Sequence, residues 1–167
     1  MVRRAVHRIV GVGPRVRWNG KGGARLPDLI QLLADLASSG PPPRAIVVHL
    51  GTNDRGFANA FSLRQGIRIF MSECLANYPT ARVVWSDILL RACYFGALSP
   101  AKVEMKRRST NKWSLSLGHH LGVGILHHPQ FRWSFFHLFL VDGVHLSREG
   151  LALFRQNLAT CIRFYCG

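Results

Sequence analysis

The sequence predicts one α/β domain of three layers, α/β/α, with helices on both faces of a parallel sheet. Three observations carry this. Short apolar runs alternate along the chain with longer stretches whose apolar residues recur at helical spacing. Apolar residues make up 48% of the chain and charged ones 18%, a balance that buries a core and excludes a disordered chain. At 167 residues, without internal repeats or low-complexity tracts, the chain fits a single domain spanning 1–167.

In order, Val2 to Val10 is short, basic and compatible with a helix. Arg15 to Asn19, RVRWN, alternates Arg with Val and Trp as a strand does. A glycine-rich turn follows. Leu26, Leu29, Ile30, Leu33, Leu36 and Ala37 then mark a helix, with Pro27 suited to its first position and Ser38-Ser39-Gly40 as its stop. Ala45 to Leu50 is a strand, Leu63 to Cys74 a helix ending before Tyr78-Pro79, and Arg82 to Leu89 a further strand. Ser99-Pro100 starts a helix expected to reach Leu117 before Gly118. Val123 to Leu126 is the last strand. Ser147 caps a final helix carrying Leu151, Phe154, Leu158 and Ile162 on one face, with Glu149 in its first turn.

The most specific stretch is Val47 to Asp54, VVHLGTND, an apolar run that breaks off in Gly51, Thr52, Asn53 and Asp54. Ligands of open parallel sheets collect at the carboxyl ends of strands, so these residues are delivered to the expected site. A second stretch, Val141 to Gly150, reads VDGVHLSREG. Asp142 and His145 stand three apart just before a helix, the spacing at which a carboxylate orients an imidazole acting as general base.

A strand ending in GxND, with DGxHLSxxG ahead of the C-terminal helix, resembles the SGNH (GDSL-type) hydrolases, and among them the esterase-like domains encoded in vertebrate retrotransposons. The family is named for a nucleophilic Ser, an oxyanion Gly, an oxyanion Asn and a catalytic His. The resemblance implies that Asn53 and Gly23, the latter in NGKGGARLPDL, form the oxyanion hole and that His145 with Asp142 is the catalytic pair. Gly51 and Asp54 are expected to shape the site, Asp54 by capping the loop after the strand. No cofactor and no metal is implied. The reaction implied is hydrolysis of a small acyl or acetyl ester.

The Ser has no counterpart. In the family it sits in a GDS-like or GHS-like turn after the first strand of a flavodoxin-like sheet, order 2-1-3-4-5. The resemblance therefore implies an N-terminally truncated domain lacking that first strand and inactive as it stands. Either RVRWN slides into the gap or the sheet is incomplete, and unpaired buried backbone groups at about 1 to 3 kcal/mol each would be costly.

Other readings compete at several positions. Gly23 starts a turn as readily as it lines an oxyanion hole, with Gly20 and Gly22 beside it. Phe131, Trp133, Phe135, Phe136 and Phe139 either line an acyl pocket or pack the core. Ser86 and Ser147 lie near strand or helix ends without a nucleophile pattern. The net charge is +14, and 18 of the 22 basic residues are Arg. Such a surface suits polyanions, so the alternative function is a non-catalytic module of retroelement origin binding RNA or DNA; the rival account is base composition of the gene. Against the first, no RNP-like strand occurs.

No run of 18 apolar residues exists, so no membrane span is expected. Residues 1–13 have too short an apolar core for a secretory signal. Cys74, Cys93, Cys161 and Cys166 lack CxxC spacing, which fits a reduced intracellular chain, cytoplasmic by default, with Cys74 and Cys161 packed in the core. The pairs His119-His120 and His127-His128 can each offer about one ligand to a common metal, since adjacent side chains diverge.

Overall fold

The computed structural model describes residues 3–7, 16–38, 40–54, 59–94 and 97–166. Three parallel strands form the central sheet in the order β3-β4-β5, comprising β3 (Ala45–His49), β4 (Arg82–Ser86) and β5 (Gly124–Leu126). Side chains alternate across it as strand geometry requires. Ile46, Val48, Val83 and Trp85 enter the main core with α1 (Asp28–Ala37), α2 (Ala60–Asn77) and α3 (Pro100–Leu121). Val47 faces the other way, against Ala159 and Ile162 of α4 (Arg148–Cys166). Three helices on one face and one on the other make the three layers.

The caps act as their chemistry dictates. Asn59 accepts from the Ser62 N–H at 2.8 Å to start α2, and Ser99 accepts from Lys102 ahead of Pro100 to start α3. Ser147 Oγ accepts from the Gly150 N–H at 3.1 Å at the start of α4. Helix α3 runs one turn beyond the expected stop at Gly118. Its true end is Gly122, in the left-handed region at φ 72°. Gly118 is inside the helix for another reason: a Cβ there would stand 2.8 Å from both Ile125 Cδ1 and the Val123 carbonyl oxygen, so its absence lets α3 lie close on β5.

Strand β4 stops at Ser86, three residues short of expectation. Past Asp87, whose N–H still reaches the Leu126 carbonyl at 2.9 Å, the ladder partner is a side chain. Asn111 of α3 accepts from the Ile88 N–H and donates to the Ile88 carbonyl, each at 3.1 Å. This substitutes for a strand edge without continuing the sheet.

The first segment departs most from expectation. Arg3–His7 is a strand, β1, and not helix-compatible chain; it pairs antiparallel with β2 (Val16–Gly20), Ala5 opposite Trp18. A weak helix propensity yields to the ladder bonds that β2 demands. Nor does β2 slide in beside β3. It forms a separate two-stranded sheet, and its Val16 packs on the α4 cluster. Among the described residues β3 therefore has a ladder partner on one side only.

Cys74 and Cys161 are buried as expected, and burial pushes their thiols up to about 12 and about 11. Among the described residues no helix is long and apolar enough to cross a membrane.

Gly51 is the position where the strand must turn. Its φ is 98°, and a Cβ would stand 2.9 Å from Ile88 Cδ1. Gly51→Ala is expected to destabilise the fold by about 1 to 3 kcal/mol from backbone strain, read as a lower urea midpoint.

Candidate active site

Three segments meet at the carboxyl edge of the sheet. The first is the end of β3. Asn53 Nδ2 donates to the Ala24 carbonyl at 3.0 Å, and Asp54, buried, accepts from the Leu26 N–H at 3.2 Å through both oxygens. Two adjacent side chains thus pin the loop that holds Gly23. Burial pushes the Asp54 carboxyl above its ordinary value, opposed by the Leu26 N–H. Asp54 ties two loops together and does not merely cap its own. Gly23 itself adopts φ 69°, which favours glycine, while the space where a Cβ would project is open. The backbone conformation alone therefore favours glycine at this position.

The second segment is the turn before α4. His145 Nδ1 lies 2.7 Å from Asp142 Oδ2, and Asp142 Oδ1 accepts from the Val144 and His145 N–H groups at 2.8 and 2.9 Å. The carboxylate fixes the proton on Nδ1 and leaves the Nε2 lone pair open. The bonds from His145 hold Asp142 down to about 2. Gly143, at φ 64°, makes the turn; its carbonyl accepts from the Cys93 N–H at 3.0 Å, and a Cβ would meet Cys93 at 2.8 Å. The imidazole is well exposed, its side chain 74% accessible.

The third segment follows β4 and was not foreseen. Arg91 Nη2 donates to Asn53 Oδ1 at 2.7 Å. Two residues on, Cys93 touches the Asp142–Gly143 turn, so the Arg91–Cys93 stretch bridges the Asn53 side of the site to the His145 side. The available signal was a lone Arg closing the apolar run Ile88-Leu89-Leu90 at a carboxyl strand edge.

The serines near these segments are engaged elsewhere. Ser147 caps α4. Ser86 is fully buried between two imidazoles, 2.7 Å from His128 Nε2 and 2.9 Å from His49 Nδ1. Asn157 Nδ2 lies 3.0 Å from His128 Nδ1 and also donates to Gln130, so Nδ1 is an acceptor and Nε2 carries the proton. The donor chain runs Asn157 to His128 to Ser86 to His49. The chain of bonds occupies the Ser86 hydroxyl on both sides. Nearby, His127 Nδ1 and Asp87 Oδ2 are 2.8 Å apart at the rim of a 350 Å³ cavity. Among the described residues no group of three or more His, Cys, Asp or Glu side chains could hold a metal ion. The aromatic segment divides: Phe131 and Phe139 are buried with Leu89 and Leu138, whereas Trp133, Phe135 and Phe136 are exposed.

Comparison with solved structures places the fold. A GDSL-like lipase from Bacteroides thetaiotaomicron superimposes with a TM-score of 0.67 at 17% identity, over 85% of this chain and 72% of that one. The fold is that of the GDSL-type hydrolases. A carbohydrate esterase family 3 protein from Talaromyces cellulolyticus shares this GDSL-type fold at a TM-score of 0.65 and 19% identity, over 85% and 68% of the two chains. The esterase domain of the ZfL2-1 ORF1 protein from a zebrafish retrotransposon matches at 0.54 and 24% identity, over 84% of each. No protein-family model and no curated protein matches the sequence.

Two titrations test this site. Asp142, held down to about 2, makes a favourable bond that is complete above the ordinary carboxylate value and lost as pH falls through about 2. Its carboxyl carbon, followed by NMR, is expected to titrate near 2 and to move up toward 3.8 in His145→Ala. Burial lowers His128 from 6.5 to about 4, so the stability it contributes is whole above 6.5 and is lost as pH falls toward 4. Its ring signals should titrate near 4, and urea midpoints should fall across that window.

Proposed function

We propose that this chain is an SGNH-type esterase domain that carries the general base and the oxyanion donors for acyl-ester hydrolysis but not, by itself, the nucleophile. The observation that supports it most is the His145–Asp142 pair held on the same carboxyl edge as Asn53. Asn53 Nδ2 gives one hydrogen to Ala24 and keeps a second for a developing oxyanion. The Gly23 N–H is the second donor.

In the reaction, a serine Oγ attacks the ester carbonyl while His145 Nε2 takes its proton and Asp142 stabilises the imidazolium. The carbonyl oxygen becomes the oxyanion facing Asn53 and Gly23. Collapse breaks the acyl–oxygen bond, and His145 returns the proton to the departing alcohol. Water then repeats the sequence, releasing the acid and restoring the serine. The serine belongs to a strand ending in Gly-His-Ser or Gly-Asp-Ser that pairs with the open side of β3.

Alone, the chain is expected to show no turnover of p-nitrophenyl acetate and no His145-dependent labelling by a fluorophosphonate. Fusing an apolar strand ending in Gly-His-Ser ahead of Met1 should raise both thermal stability and ester turnover, with His145→Ala keeping the first and losing the second. An unchanged melting temperature would count against the strand's placement; His145-dependent labelling of the unextended chain would count against the missing nucleophile.

A further inference from the structure

Among the described residues, Arg91 is the cation that hydrogen-bonds Asn53. Its Nη2 takes up Asn53 Oδ1 at 2.7 Å, and the Ala24 carbonyl takes one hydrogen of Asn53 Nδ2 at 3.0 Å. Held at both ends, the amide keeps one orientation, with its second Nδ2 hydrogen not used in either bond. Without Arg91 the two amide orientations would be separated only by the Ala24 bond.

The guanidinium has more to give. Its Nε is buried and finds no acceptor among the described residues. A buried charged donor without an acceptor favours any ligand that supplies one, and a guanidinium edge matches the two oxygens of a carboxylate. Protein carboxylates do not fill this role. Asp142 is close enough for its charge to act on Arg91, but it forms no bond with it; both its oxygens are taken by Val144 and His145. Glu104 is held by Arg107, Arg108 and Tyr94.

We propose that Arg91 and Asn53 form a carboxylate-binding site, in which Arg91 fixes the Asn53 amide and gives the oxyanion end of the site a positive charge. The ligand class is the small carboxylate anion, the acid that ester hydrolysis releases. The proposal rests on the reading of Asn53 as an oxyanion donor, but it needs no nucleophile and no turnover. Arg91 is a positioning residue for Asn53 and a binding residue for the anion. In an active form of the site, the same charge makes the acid product a competitive inhibitor.

The test is a titration of the unextended chain with sodium acetate at constant ionic strength, sodium chloride making up the balance, at about pH 8. The Asn53 side-chain amide and the Arg91 Nε–H are followed by 15N NMR. Saturable shifts at both, weakened at least about tenfold in Arg91→Gln, are expected, the size of one charge-assisted hydrogen bond. Arg91→Lys, which keeps the charge and loses the fork, should bind several-fold more weakly than wild type, and it serves alone if Arg91→Gln does not fold. Shifts that chloride reproduces, or equal acetate affinity in both Arg91 variants, would overturn the proposal. Acetate binding that survives alongside an esterase test that fails would leave the anion site standing and remove only the hydrolytic reading.

Discussion

The tie between the end of β3 and the loop ahead of α1 is the constraint on which the site depends. Asn53 and Asp54 are adjacent, yet one bonds Ala24 and the other Leu26. Such divergence needs the chain to leave the strand abruptly, and Gly51 at φ 98° with Ile88 against its α-carbon makes the bend. The consequence reaches past the loop. Because Asp54 is buried and disfavoured as a charge, its bonds to Leu26 partly offset a desolvation cost, so the Gly23 loop is held by a group that is itself costly to leave unpaired.

Charge tells a divided story. The chain is strongly basic, but several arginines are spent within the fold and not offered to a partner. Arg107 bonds Glu104 and the Ile88 carbonyl, Arg64 reaches Ser109 and lies over Trp113, and Arg91 holds Asn53. Burial pulls Glu104 upward, yet its bonds to Arg107 and Arg108 hold it below its ordinary value. This cluster braces the start of α3 against the segment after β4, the same segment that carries Arg91. Part of the Arg content is thus structural, since a planar guanidinium satisfies several acceptors where a lysine satisfies fewer.

The sequence made the central architecture legible because its signals were local. Apolar periodicity located β3, β4 and β5 and all four helices, and capping residues at Ser99 and Ser147 located two starts. The Asp142–His145 pair was equally local, three residues apart in one turn. What escaped was whatever depends on contact between distant segments. The end of β4 is set by Asn111, the length of α3 by the fit of Gly118 on β5, and the conformation of residues 3–7 by the needs of β2. Arg91 and the Ser86–His128 network escaped for the same reason: a lone Arg and a lone Ser carry no pattern until the sheet brings Asn53 and His128 to them.

The flank of β3 joins fold to chemistry. A strand built for a sheet edge is normally blunted by charge, proline or a bulge. β3 has none of these. Ile46 and Val48 are buried on one face and Val47 packs against α4 on the other, the two-sided apolar character of an interior parallel strand. Among the described residues its N–H and C=O groups on the side away from β4 therefore belong to a position that another strand can fill, and β2 does not fill it, lying with β1 in a separate sheet. Any strand laid there in parallel would end at the same edge as Gly51 to Asp54, since strands of a parallel sheet share a direction. A strand that completed the sheet would thus bring its last residues to the edge where Gly51 to Asp54 already lie.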